Sequence, residues 1–146
     1  MDNKYVNIDK EKSSNYYNSD LSEYIGKQCQ RTMTSIDVDI LQIKKSKKLI
    51  RFIESKHSKE KLGYQQDSAL KLISQIGKII NNNPKLFYNN KIEVYLVRGN
   101  PPYNNIEIYD YVKNENFILV SQDKIKSFLQ CDYDLNDNDK PLKLFL

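Results

Sequence analysis

The chain has 146 residues, 39% hydrophobic and 29% charged, enough for one globular domain with a single core. No run approaches the ~20 apolar residues of a membrane span, and the polar start has no signal-peptide core, so a cytoplasmic protein without membrane contact is expected. The net charge is +4, and the two cysteines, Cys29 and Cys131, lie too far apart in sequence to form a metal-type pair and read as reduced thiols.

Residues 1–18 form a polar N-terminal arm rich in Asn, Lys, Ser and Tyr, without a clear period. Asp20, with Glu23 three residues on, opens a first helix to about Gln30. Ser35–Ile43 and Leu49–His57 then read as two strands joined by a lysine-rich turn. Ser58 is the expected N-cap of a second helix that runs to about Ile80. Leu62, Gln66, Ala69, Ile73, Ile76 and Ile80 form its inner stripe, and Gln66 is the polar exception. Asn81-Asn82-Asn83-Pro84 ends it. Lys91–Val97 is a strand, 99–105 a loop, and 106–112 with 117–120 a further hairpin. Ser121 caps a short helix to Leu129, and an acidic tail, 132–146, carries Asp132, Asp134, Asp137 and Asp139. The central domain is therefore expected over 19–131.

The chemistry concentrates on the first hairpin. Side chains alternate across a strand, so Asp37 and Asp39 share a face, as do Glu54 and Lys56. If the turn is centred between Ser46 and Lys47, Asp39 stands opposite Glu54 and Asp37 opposite Lys56, with Cβ atoms about 5 Å apart; no Asn-Gly or similar residue fixes the turn, and a one-residue slip would flip the faces. Clustered carboxylates repel unless a cation neutralises them. Oxygen ligands of this kind suit Mg²⁺ or Mn²⁺. An ammonium beside them can hold a phosphate oxygen or orient a water, the equipment of metal-assisted phosphodiester hydrolysis. Residues 44–61 add Lys44, Lys45, Lys47, Lys48, Arg51, Lys59 and Lys61 against Glu54 and Glu60, a basic field that favours nucleic acid. The plainer reading is a solvated strand face with cross-strand ion pairs.

Asp39-Ile40-Leu41-Gln42-Ile43 followed at hairpin distance by Ile53-Glu54-Ser55-Lys56 resembles the PD-(D/E)xK nuclease superfamily, over about the middle third of the chain. No proline precedes Asp39, and Asp37 competes for the same role. The resemblance implies an α/β fold with a restriction-endonuclease-like mixed central sheet flanked by helices, here with a C-terminal β extension. It implies a Mg²⁺- or Mn²⁺-dependent deoxyribonuclease of the kind used in DNA repair or recombination. Asp39 and Glu54 would hold the metal, with Asp37 as a ligand or outer carboxylate. Lys56 would act on the water or the developing charge, and Gln66 would reach into the site from the second helix. Lys45, Lys47, Lys48, His57 and Lys59 would contact DNA, and so small a chain could work as a homodimer. Tyr103, Tyr109 and Tyr111 are candidates to stack on bases, although tyrosines in strands more often pack. Two other classes stay open: a non-catalytic nucleic-acid-binding module and a protein-interaction subunit. Metal dependence separates the first reading from both.

Overall fold

The computed structural model describes residues 20–29 and 38–142. The chain divides into two compact units between Asp37 and Val38, later than the arm boundary expected at residue 18. The described part of the first unit is helix α1, Asp20–Gln28, with Glu23 and Lys27 paired at 2.6 Å one turn apart. Asp37 lies outside the described residues.

The second unit is a mixed α/β domain. Its five strands are β1 (Ile40–Lys44), β2 (Leu49–Lys56), β3 (Lys91–Arg98), β4 (Ile106–Asp110) and β5 (Glu115–Leu119), arranged side by side in that order. The β1–β2 ladder is antiparallel and runs from Ile40 opposite Ile53 to Lys44 opposite Leu49. That is the register expected from a turn between Ser46 and Lys47, and Lys48 makes the reversal with a left-handed φ of 49°. Helix α2 (Tyr64–Asn82) carries the chain across so that β3 runs parallel to β2. β4 and β5 then return antiparallel, and helix α3 (Gln122–Leu129) follows with Ser121 as its N-cap.

β3 reads Val94-Tyr95-Leu96-Val97 without a polar break because both of its faces are buried. On one face Leu70 of α2 packs with Ile92, Val94, Leu96 and Tyr111. On the other, Ile125 and Phe128 of α3 pack with Ile53, Tyr95, Val97 and the inner residues of β4 and β5. The acidic segment from Asp132 is docked in its described part: Tyr133 and Leu135 lie on this second core, and Asp139 is buried and accepts from the Tyr133 hydroxyl. No helix among the described residues is long and apolar enough to cross a membrane.

Three expectations differ in detail. α2 starts at Tyr64 with Gly63 as N-cap, not at Ser58, because Asn100 holds the intervening loop: its Oδ1 accepts from Ser58 N at 3.2 Å and its Nδ2 donates to Ser58 Oγ at 2.7 Å. The buried stripe of α2 is Leu70, Ser74 and Gly77, while Ile76 is exposed. Small residues are needed there because a Cβ at position 77 would stand 3.0 Å from Ile92 Cγ2. β4 stops at Asp110 rather than Val112, since Asp110 Oδ1 accepts from the backbone N–H groups of Val112 and Lys113 and bends the chain into the turn.

Candidate active site at the carboxyl ends of two parallel strands

β2 and β3 end together at Lys56 and Arg98, which are register partners. In open α/β sheets the carboxyl ends of parallel strands, beside the start of the crossover helix, are where ligands bind. Glu54 sits here with 2% of its surface exposed. Its Oε1 accepts from Gln66 Nε2 at 3.0 Å and lies 3.3 Å from Lys56 Nζ. Asp39, exposed and immediately before β1, accepts from Ser55 N through Oδ2 at 2.9 Å, which ties the two hairpin strands together beside Glu54.

Gln66 reaches Glu54 because it stands in the first turn of α2, where its Oε1 also accepts from Gly63 N at 3.3 Å. The amide thus caps the helix through its oxygen and holds the carboxylate through its nitrogen. This explains the polar interruption in the apolar stripe: a half-buried amide finds both partners. Gln66 and Lys56 thus meet at the same oxygen of Glu54.

Burial raises the pKa of Glu54 above its ordinary 4.5, and the charge of Asp39 raises it further, while Lys56 opposes both. Glu60 adds a third carboxylate. Its Oε2 lies 3.7 Å from Lys56 Nζ, and its Oε1 accepts from His57 N at 3.2 Å. That backbone hydrogen bond, followed by the charges of Lys56 and His57, holds the Glu60 pKa below the usual value.

Of the remaining sequence candidates, His57 and Lys59 are next to this cluster. His57 Nδ1 lies 3.2 Å from Asn100 Oδ1, and Lys59 is exposed with no ion pair among the described residues. Lys45, Lys47 and Lys48 do not surround the site. They occupy the turn before β2, and an eight-residue strand separates them from Lys56 by about 25 Å. Lys47 is also paired with Asp132 at 3.3 Å, so part of the turn's charge is neutralised by the acidic segment. Tyr111 is buried and donates to Asp67 Oδ1 at 2.8 Å, which removes it from any stacking surface.

Sequence reasoning missed Glu60 and Asn100. Glu60 stands four residues after Lys56, but the expected helix capped by Ser58 takes it into its first turn. Asn100 is 42 residues from Ser58, and nothing in a single sequence joins the two.

The donor set suits a hard divalent ion. Asp39 Oδ1 and Glu54 Oε2 have no hydrogen bond among the described residues, while their companion oxygens are engaged. Mg²⁺ is commonly held by one or two carboxylates plus waters and substrate phosphates. No group of three or more His, Cys, Asp or Glu side chains arranged for metal binding occurs among the described residues. Neither the family models, nor the curated proteins, nor the solved structures compared with this chain give a match.

Proposed function

We propose that this chain is a divalent-metal-dependent nuclease of the restriction-endonuclease-like, PD-(D/E)xK kind that hydrolyses DNA phosphodiester bonds. The observation that carries the reading is Glu54. A carboxylate that is buried, pushed toward protonation by burial and by Asp39, and matched only in part by Lys56 opposes folding. Such a cost is expected where the charge has work to do, at the carboxyl ends of parallel strands.

In this reading Asp39 and Glu54 hold Mg²⁺ or Mn²⁺, which supplies charge neutralisation and Lewis acidity at a phosphate. Gln66 keeps Glu54 in place. Lys56 donates toward the attacking water or the phosphate oxygen where negative charge develops. His57 and Lys59 would meet the DNA backbone beside the cut, and Lys45, Lys47 and Lys48 would meet it about 25 Å away along the strand direction.

A second reading is a nucleic-acid-binding module without catalysis. Its support is that Glu54 already has an internal counter-ion in Lys56. One experiment separates the two. The full chain is incubated with linear duplex, single strand, flap and four-way junction in Mg²⁺, Mn²⁺ or EDTA. Cutting should need the metal. Glu54→Gln and Lys56→Ala should each lower the rate by ~10²–10⁴ while circular dichroism stays unchanged. Binding to these DNAs without cutting in either metal would favour the module.

A further inference from the structure

We infer that Glu60 is a positioning residue for Lys56, the carboxylate onto which the Lys56 ammonium moves when a divalent cation takes Glu54. The inference rests on the nuclease reading and goes beyond it, since Glu60 belongs to neither half of the Asp…Glu-x-Lys pattern.

Lys56 Nζ stands between two carboxylates, 3.3 Å from Glu54 Oε1 and 3.7 Å from Glu60 Oε2. Their surroundings differ. Glu54 is buried and shares the same Oε1 with Gln66. Glu60 has 47% of its side chain exposed and is anchored through its other oxygen by His57 N. Its backbone is pinned as well: Glu60 N donates to His57 O at 3.0 Å, and Arg98 Nε donates to Glu60 O at 3.2 Å. Glu60 therefore presents one free oxygen to Lys56 from a fixed loop.

A cation on Glu54 sets positive charge beside an ammonium on the same carboxylate, and like charges this close repel strongly. The Lys56 side chain is only 13% exposed, so water does little to compensate it. Without a second acceptor, Lys56 would oppose metal binding. With Glu60, the ammonium changes partner over a short distance, keeps a counter-ion and stays beside the reacting phosphate.

The test is Mn²⁺ binding by the full chain without DNA, read from the loss of the free-ion signal in electron paramagnetic resonance. Lys56→Met removes the competitor for Glu54 and should tighten binding roughly fivefold or more. Glu60→Gln keeps an acceptor for His57 N–H and removes only the charge. It should weaken binding by a similar factor, because Lys56 then stays on Glu54. In the Lys56→Met background, Glu60→Gln should change nothing, since Glu60 acts through Lys56. The same loss in both backgrounds would mean that Glu60 acts merely as a nearby negative charge, and would overturn the inference. So would unchanged affinity in Glu60→Gln while the wild type binds Mn²⁺, and in both cases the nuclease reading survives. A wild type that takes up no Mn²⁺ overturns the metal site and this inference with it. Should Lys56→Met lower the melting temperature, Lys56→Gln repeats the cycle with a polar side chain.

Discussion

Strand β2 carries a buried charge in each half, and the two are treated oppositely. Arg51 and Glu54 are each only 2% exposed, three residues apart, and they face opposite sides of the sheet. Arg51 is closed in on every side. Its guanidinium donates to Glu93 Oε1 at 3.1 and 3.3 Å and to the Phe128 carbonyl, and it lies over the rings of Phe128 and Tyr95 at 4.4 and 5.1 Å. Tyr95 donates its hydroxyl to the second oxygen of Glu93. Every charge in that group has a partner, and the group fastens α3 to the sheet. Glu54 has one ammonium, which Glu60 shares, and a neighbouring carboxylate that works against it. A buried charge with a complete set of partners is scaffolding; one left partly unmatched at the mouth of a strand pair is a candidate for chemistry.

The largest effect that would break this comparison is on stability at the Arg51 end. Arg51→Met keeps much of the volume but removes the guanidinium from Glu93, which is left with the Tyr95 hydroxyl and Lys91 at 3.9 Å. Removing one partner of a buried pair costs ~3–5 kcal/mol. The urea midpoint should fall accordingly, with the slope unchanged. A loss near zero would mean that Arg51 is no better matched than Glu54, and burial would no longer sort the two.

The two ends also differ in how far the sequence reveals them. The hairpin was legible because both arms are rich in Ile, Leu and Phe around a short polar turn, and a turn centred between Ser46 and Lys47, which no turn residue fixed, gives the observed register. Asp39 and Glu54 follow from that register alone. Gln66 was legible as a polar break in an apolar period. The inward face of α2 was not: Ser74 and Gly77 carry no hydrophobic signal, and their burial reflects how closely the helix approaches Ile92. Nor was the setting of Arg51, since its partners come from Glu93 and Phe128, 42 and 77 residues away. Asn100, which shortens α2 by holding Ser58, is the same kind of long-range pairing. Local pattern reports what a residue's own element wants, and these partners belong to other elements.

An intermediate effect sharpens the comparison through DNA. The exposed Lys59 and Lys61 adjoin Lys56, whereas the turn lysines lie at the far end of β2. Each phosphate contact contributes about 0.9 to the slope of log affinity against log salt. Lys59→Gln with Lys61→Gln should lower that slope by up to about 2 on any duplex. Reversing charge at Lys45, Lys47 and Lys48 together should weaken binding to long duplexes. On a duplex too short to span the ~25 Å from the turn to Lys56 it should have little effect. Equal losses from both sets on the short duplex would argue that DNA does not lie along this strand.

The smallest effect expected is a gain, and it tests Glu54 directly without any assumed substrate. Burial and Asp39 raise its pKa above 4.5, the value taken for the unfolded chain. The folded protein therefore holds this proton more tightly than the unfolded one. Below pH 4.5 the carboxyl is protonated in both states and costs nothing. As pH rises through the folded pKa the proton is lost from a site that favours it, and above that point the full penalty applies. Gln cannot titrate, keeps the shape, and still offers an oxygen to Gln66 and Lys56. In EDTA, Glu54→Gln should thus melt above wild type at pH 7, by roughly 1 kcal/mol, the scale of an ordinary point substitution. The gap should close as pH falls toward 4.5. Carboxylates distant from this site are the same in both proteins and cancel in the difference. If Glu54→Gln melts below wild type at pH 7, Lys56 and Gln66 more than offset the burial. Glu54 would then be scaffolding like Arg51, and the reason for placing chemistry at this end of β2 would be gone.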